Sequence, residues 1–220
     1  MVLVDDSFSA IVAGVEEGRA IFRNISIFIF MLLSENVGEV FFVLISVCVN
    51  QPAPLGAIQL LLLNLFTDGA PAIALAVETS GNDSLMSEGP RNQFESIISP
   101  LMRVGIVVHA SLLCGMCCLM YTLALIRHTG SEIGVGATEE QLHAATTVSY
   151  LYIVTAELLR AYTCRSLRES LFHIGLNSNK WMHYSVIPGF ILAVCFALIP
   201  GLNTALGFVM VTGVDWAFIL

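Results

Sequence analysis

The chain of 220 residues is 56% hydrophobic and 12% charged, and its mean hydropathy is +0.83. A soluble domain carries about 25% charged residues, so this composition excludes a soluble enzyme and a disordered tail. The net charge of −8 also argues against nucleic acid as a partner. The sequence therefore predicts a single polytopic helical domain whose main partner is the lipid bilayer.

Long apolar runs predict an all-α membrane bundle with five complete spans and the start of a sixth. In chain order, the runs cover residues 25–49, 55–77, 104–126, 144–162, 184–199 and 206–220. A rise of about 1.5 Å per residue lets about 20 residues cross a hydrocarbon core of about 30 Å. The last run is too short to cross comfortably, so we expect an incomplete helix there.

The basic residues outside these runs are distributed unevenly between the two sides of the membrane. Seven of them fall on one side, and Arg127 alone falls on the other. By the positive-inside rule, we expect the amino terminus and the loops 78–103 and 164–180 to be cytosolic. Both the endoplasmic reticulum and the plasma membrane fit this multi-pass topology. The seven residues are Arg19, Arg23, Arg91, Arg103, Arg165, Arg168 and Lys180.

The first 24 residues differ in composition from the rest of the chain. They mix acids, two arginines and scattered apolar residues, which is typical of an amphipathic segment outside the membrane. We expect residues 1–24 to be a cytosolic stub and residues 25–220 to form the transmembrane domain.

Several polar residues lie inside the apolar runs, where an ionisable group costs several kcal/mol and is therefore a candidate for function. Spacings of three and four residues place the polar groups of each run on one helical face. Their oxygens are of the carboxylate, amide and hydroxyl types that a hard cation such as Ca²⁺ prefers. The alternative is that these groups only join helices together. The candidate metal-binding residues are Asn36, Glu39, Asn64, Thr67, Asp68 and Glu157.

A glycine and a proline directly follow the polar face of the second run. Gly69 loosens a helix, and Pro71 cannot donate a backbone hydrogen bond. We therefore expect one discontinuous helix with backbone carbonyl groups exposed to a cavity near Thr67. Such broken helices beside carboxylates are a common way to hold a cation inside a transporter.

Three motifs in this order resemble those of P-type cation-transporting ATPases, in particular calcium pumps of the sarco/endoplasmic-reticulum type and their bacterial relatives. Residues 5–21 resemble the end of the phosphorylation domain. Ser34-Glu-Asn-Val-Gly-Glu39 and Asn64-Leu-Phe-Thr-Asp-Gly-Ala-Pro71 resemble the ion-binding motifs of the fifth and sixth transmembrane helices. Residues 165–180 are similar to the cytosolic loop between helices eight and nine.

The resemblance implies that the six candidate residues are calcium ligands and that the spans are helices five to nine and the start of ten. It also implies a carboxy-terminal fragment of a translocating enzyme, cut at both ends. The phosphorylation motif and nucleotide domain belong to the missing amino-terminal part, so the fragment has no catalytic residue. Mg²⁺ and ATP are expected only in the complete pump, meaning this chain together with that missing part.

We expect the chain to be the membrane-embedded part of an ATP-driven calcium pump that exports Ca²⁺ from the cytosol in exchange for protons. Two alternatives remain, which are a stand-alone cation carrier or leak pathway and a non-catalytic membrane fragment. The resemblance alone favours calcium, and Na⁺, K⁺ or H⁺ also fit the residues as the transported ion.

Two charged residues depart from the family pattern, since Glu35 stands where a small residue is usual and Arg160 where many members carry Asn. An unpaired cation within a span is costly, so Arg160 is expected to have a partner. Glu157 lies one turn away on the same helix, and Glu35 lies on another span. We favour Glu35, because the two departures then cancel in charge, while snorkelling of Arg160 to the membrane interface is a third option.

Overall fold

The computed structural model of the chain describes residues 8–79, 86, 87, 89, 96–166 and 170–219. Within these residues the secondary structure is entirely helical. The helical class expected from the sequence is therefore confirmed. Residues 1–7 of the expected stub, and the loop residues Arg91 and Arg168, lie outside the described part of the chain.

Helix α1 (Phe8–Cys48) is the longest element, with 41 residues, which corresponds to about 60 Å at the rise of an α-helix. It runs without interruption from the stub through the first apolar run, because no proline interrupts this stretch. The helix stops shortly before Asn50, whose positive φ of 58° is of the left-handed type that ends helices. This helix is long enough to extend well beyond the hydrocarbon region.

The second apolar run forms α2 (Ala57–Leu63), a π-helical turn (Asn64–Asp68) and α3 (Gly69–Ala76) in direct succession. The expectation of a discontinuous helix is therefore wrong, because the segment stays helical throughout and has a widened π-turn where the break was expected. Gly69 keeps ordinary helical angles, with φ −64° and ψ −49°. A π-turn re-registers backbone hydrogen bonds around a missing donor such as that of Pro71, and such turns are frequent at functional sites.

Helices α4 (Pro100–Thr129) and α5 (Glu139–Thr163) both begin with clear capping residues. The Ser99 side chain accepts a hydrogen bond from a backbone N–H of the first turn of α4, and Gly130 ends that helix with a φ of 72°. Thr138 and Gln141 form a capping box at the start of α5. These local signals set both ends of α4 and the start of α5, the helix that carries Glu157.

The carboxy-terminal part consists of α6 (Leu171–Ile174), a 3₁₀ turn (Leu176–Ser178), α7 (Lys180–Leu198), α8 (Leu202–Leu206) and α9 (Gly213–Ile219). The apolar run predicted to start at residue 206 is not a single helix. Gly207 ends α8 in the left-handed conformation, with a φ of 72°, and helix resumes only in α9.

The helices pack as a bundle in which α1 contacts α3 and α4, while α5 contacts α4, α7 and α9. At Gly38 the contact is so close that a β-carbon would lie 2.9 Å from a methyl group of Leu113 on α4. Close contacts through small residues are typical of helix pairs in membranes. The contact brings the polar face of α1 towards the centre of the bundle.

Four helical segments in the described part of the chain are long and apolar enough to cross a membrane. They are α1, the segment Ala57–Ala76, α4 and α7. Helix α5 is not among them, because it carries more polar side chains than the others. Several of those side chains are buried against neighbouring helices, including Thr147, Ser149 and Glu157.

Candidate functional site

The six candidate residues lie on three segments that meet inside the bundle. Asn36 and Glu39 project from the middle of α1, the π-turn carries Asn64, Thr67 and Asp68, and α5 carries Glu157. All four acidic and hydroxyl side chains of this set are at most 5% exposed. The two asparagines are half-buried at the edge of the cluster.

Hydrogen bonds connect the three segments through these side chains. Asn36 on α1 donates its Nδ2 to Asp68 Oδ2 over 3.0 Å, and Thr67 Oγ1 lies 3.0 Å from Glu157 Oε2 on α5. Asn64 Nδ2 lies 3.4 Å from Glu39 Oε2 and also donates to a backbone carbonyl of its own helix. The structure thus brings all six predicted residues together in two neighbouring hydrogen-bonded groups, Asn36–Asp68–Thr67–Glu157 and Asn64–Glu39.

The two hydrogen-bonded groups leave some carboxylate oxygens without a donor. Among the described residues, no hydrogen-bond donor reaches Oε1 of Glu39 or Oε1 of Glu157, although both atoms are buried. These two carboxyl groups are close enough to influence each other electrostatically. Buried oxygens without partners are costly, and a proton or a cation bound there would lower this cost.

The candidate ligand atoms are all oxygens, which are the atoms that hard cations prefer. In the described residues, no group of three His, Cys, Asp or Glu side chains is arranged to hold a metal ion by itself. The asparagine amides currently donate to the carboxylates, and the Thr67 hydroxyl lies 2.6 Å from the Leu63 carbonyl oxygen and 3.0 Å from Glu157 Oε2. Rotation of these groups would present oxygens in place of hydrogens.

Arg160 turns from α5 towards α1. Its Nε lies 3.5 Å from Glu35 Oε1, its NH2 group donates to the Ser34 hydroxyl, and its guanidinium carbon lies 5.5 Å from the centre of the Phe30 ring. The pairing with Glu35 that we favoured from the sequence is therefore confirmed. The side chain is 11% exposed, so it does not snorkel to an interface.

Comparison with known proteins decides the family. The family model described as "Cation transporting ATPase, C-terminus" matches residues 52–220, which is most of the chain. The chain belongs to the cation-transporting ATPases. The resemblance inferred from the motifs of α1 and the π-turn is thereby confirmed.

Several calcium-transporting relatives of this ATPase chain are about one third identical to it. Calcium-transporting ATPase 1 of Bacillus cereus is 33% identical over 231 aligned residues, covering 100% of the chain and 25% of the relative. Calcium-transporting ATPase type 2C member 2 of Mus musculus is 33% identical, covering 90% and 20%, respectively. The chain thus spans about a quarter or less of the length of these relatives.

A second buried cluster in this ATPase chain was not predicted from the sequence. Glu78, directly after α3, forms an ion pair of 2.6 Å with Arg165 and accepts a hydrogen bond of 3.1 Å from Asn179. Asn24 on α1 donates to the Glu78 carbonyl oxygen over 2.8 Å. A signal was present, because Glu78 directly follows the second apolar run and Arg165, of opposite charge, comes three residues after the fourth.

Proposed function

We propose that the chain is the ion-binding membrane part of an ATP-driven pump that moves Ca²⁺ out of the cytosol. One observation carries this proposal: oxygen-bearing side chains from α1, the π-turn and α5 converge on buried carboxylates with unsatisfied oxygens. The match to cation-transporting ATPases and the names of the calcium-transporting relatives support the choice of ion.

The proposed calcium ligands are the side-chain oxygens of the six clustered residues. Asp68 is central among them, because it lies on the π-turn and its two oxygens contact Asn36 on α1 and Thr67. Ca²⁺ accepts about 6–8 oxygens in flexible geometry, which suits a mixed set of carboxylates, amides and hydroxyls. Binding would replace the hydrogen bonds Asn36–Asp68 and Asn64–Glu39 with contacts between oxygens and the cation.

Protons are the proposed counter-ions. When Ca²⁺ leaves, Glu39, Asp68 and Glu157 stay close together in a setting with few donors. Buried like charges without a counter-charge are strongly unfavourable, and taking up protons removes this cost. A complete cycle would then move protons in the direction opposite to Ca²⁺.

The proposed membrane topology has five complete spans and the start of a sixth, with the amino terminus in the cytosol. It places α5 as a span surrounded by protein, where a lower hydropathy is tolerated. Residues 25–220 would form the transport domain, and residues 1–24 would join it to the amino-terminal part of the pump, which supplies ATP hydrolysis with Mg²⁺.

Uptake of ⁴⁵Ca²⁺ into sealed vesicles that contain the complete pump tests this function. We expect uptake that requires ATP and is accompanied by proton efflux, measured with a pH-sensitive dye inside the vesicles. Uptake without counter-movement of protons would reject the exchange. Vesicles that carry the 220-residue chain alone should not dissipate a Ca²⁺ gradient; rapid dissipation would favour a carrier or leak pathway.

Cysteine labelling tests the orientation. A cysteine replacing Ser84, which lies outside the described residues, should react with an impermeant thiol reagent only from the cytosolic side, in a background without native cysteines. Glu139→Cys, at the start of α5, should react only from the opposite side. Labelling of both positions from the same side would contradict the topology.

A further inference from the structure

Two further charged side chains lie beside the six clustered residues, and neither belongs to the proposed ligand set. Glu35 directly precedes Asn36 on α1 and is 1% exposed. Arg160 lies one helical turn after Glu157 on α5. Side chains three residues apart on a helix are neighbours, so the guanidinium group can reach the Glu157 carboxylate by changing rotamers.

Three contacts hold Arg160 on the side of α1 instead. These are the ion pair with Glu35, the hydrogen bond to the Ser34 hydroxyl and the position over the Phe30 ring. Of the three, only Glu35 carries a charge opposite to that of the guanidinium group. The ring and the hydroxyl carry no net charge, so each attracts the guanidinium group less than a carboxylate does.

The ion pair is held by charge and not by hydrogen-bond geometry. The distance of 3.5 Å from Arg160 Nε to Glu35 Oε1 lies within ion-pair range. Nevertheless, within the described part of the chain, Arg160 Nε and both Glu35 oxygens lack a hydrogen-bond partner. The two groups therefore lack the pair of directional hydrogen bonds that a bidentate arginine–carboxylate contact has. The attraction that remains between them is the one between opposite charges.

We propose that Glu35 is a positioning residue that holds Arg160 away from Glu157 and so keeps Glu157 available to the transported cation. This inference rests on the proposed function. Without Glu35, the guanidinium group turns to Glu157 and competes with Ca²⁺ for the same oxygens. The Glu35–Arg160 pair would thus determine whether the Glu157 carboxylate is neutralised by the guanidinium group or is free to bind the ion.

Equilibrium binding of ⁴⁵Ca²⁺ to the complete pump in purified membranes tests the inference. Glu35→Gln keeps the size of the side chain and removes its charge, so we expect Ca²⁺ affinity to fall about tenfold, as for loss of a close charge pair. Arg160→Gln should not weaken binding. The double variant E35Q/R160Q should return to within about twofold of the wild type, because independent losses would add instead.

Ser34→Ala provides a second approach, because it loosens Arg160 without changing any carboxylate. We expect a smaller loss of affinity, of about threefold, because the Glu35 carboxylate still attracts the guanidinium group, and Arg160→Gln should again reverse it. Glu140→Gln and Arg103→Gln, at exposed positions, are matched controls that should bind Ca²⁺ like the wild type.

The outcomes separate this inference from the proposed function. A wild-type pump that binds no Ca²⁺ overturns both. Normal affinity in Glu35→Gln overturns the positioning role alone. A double variant that binds as weakly as Glu35→Gln also overturns it, since Glu35 would then contact the ion directly. Equal losses in Glu35→Gln and Arg160→Gln would indicate a structural pair and would likewise contradict the proposal.

Discussion

The chain contains two buried clusters of charge that differ in how completely their oxygens are paired. Around Glu78, Arg165 contacts both carboxylate oxygens, and Asn179 and the backbone N–H of Thr79 donate as well. In the centre of the bundle, Glu39 and Glu157 each retain a buried oxygen that no described donor reaches.

The difference is the basis for our proposal that the Glu78 cluster is structural and that the central cluster binds ions. A buried carboxylate whose oxygens are all paired has no capacity left for a ligand, so the Glu78 cluster ties α1, α3 and α5 together. Burying a carboxylate oxygen without a partner costs free energy, and binding of a cation to that oxygen would lower this cost. Removing Arg165 should therefore mainly change stability, whereas changes at Asp68 or Thr67 should mainly change ion binding.

The largest expected effect is on stability. Arg165→Met leaves Glu78 buried without its counter-charge, which should destabilise the protein by about 3–5 kcal/mol. Thermal unfolding of the purified protein, followed by intrinsic fluorescence, measures the loss. The exposed Arg103→Met is the control and should unfold like the wild type. Unchanged unfolding of Arg165→Met would remove the distinction between the two clusters.

The next effect concerns ion affinity. Asp68→Asn keeps the size of the side chain and removes a charge from the centre of the site. We expect Ca²⁺ affinity to fall about 100-fold, equivalent to about 2.7 kcal/mol. Calcium-dependent phosphorylation of the complete pump by ATP reports the loss. If phosphorylation kept its normal calcium dependence, Asp68 would not be a ligand.

A smaller effect is expected at Thr67. Thr67→Val preserves the shape of the side chain but removes the hydroxyl that lies 3.0 Å from Glu157 Oε2. Loss of one neutral ligand should weaken Ca²⁺ binding about tenfold, or about 1.4 kcal/mol. Thr155→Val is the matched control, because it also removes a buried hydroxyl, and the Thr155 hydroxyl donates to a backbone carbonyl of its own helix, α5. Equal Ca²⁺ affinity in the two variants would exclude Thr67 from the site.

The smallest effect is expected at Asn24, at the edge of the Glu78 cluster. Asn24→Ala removes hydrogen bonds of 3.1 and 2.8 Å to the carbonyl oxygens of Ala76 and Glu78. We expect a stability loss of about 1 kcal/mol in thermal unfolding, with Ca²⁺ affinity unchanged. A clear loss of affinity would mean that the two clusters are coupled through α1.

The polar faces of α1 and the π-turn could be predicted because helical periodicity places residues three and four positions apart on one side. Asn36 and Glu39, for example, needed no tertiary information to be assigned to one face. The π-turn itself could not be predicted, since its hydrogen-bond register depends on how the chain around Pro71 packs. Likewise, the gap between α8 and α9 reflects local glycine conformations within an apolar run.

The amino-acid sequence by itself determined the helical membrane class, the family resemblance and the six candidate residues, because composition, spacing and motifs are properties of the chain alone. Only the tertiary structure decided that Arg160 pairs with Glu35 and that Arg165 neutralises Glu78. Each of these charges could reach more than one partner along the chain. Which partner it meets depends on how the helices pack and on where burial makes an unpaired charge too costly.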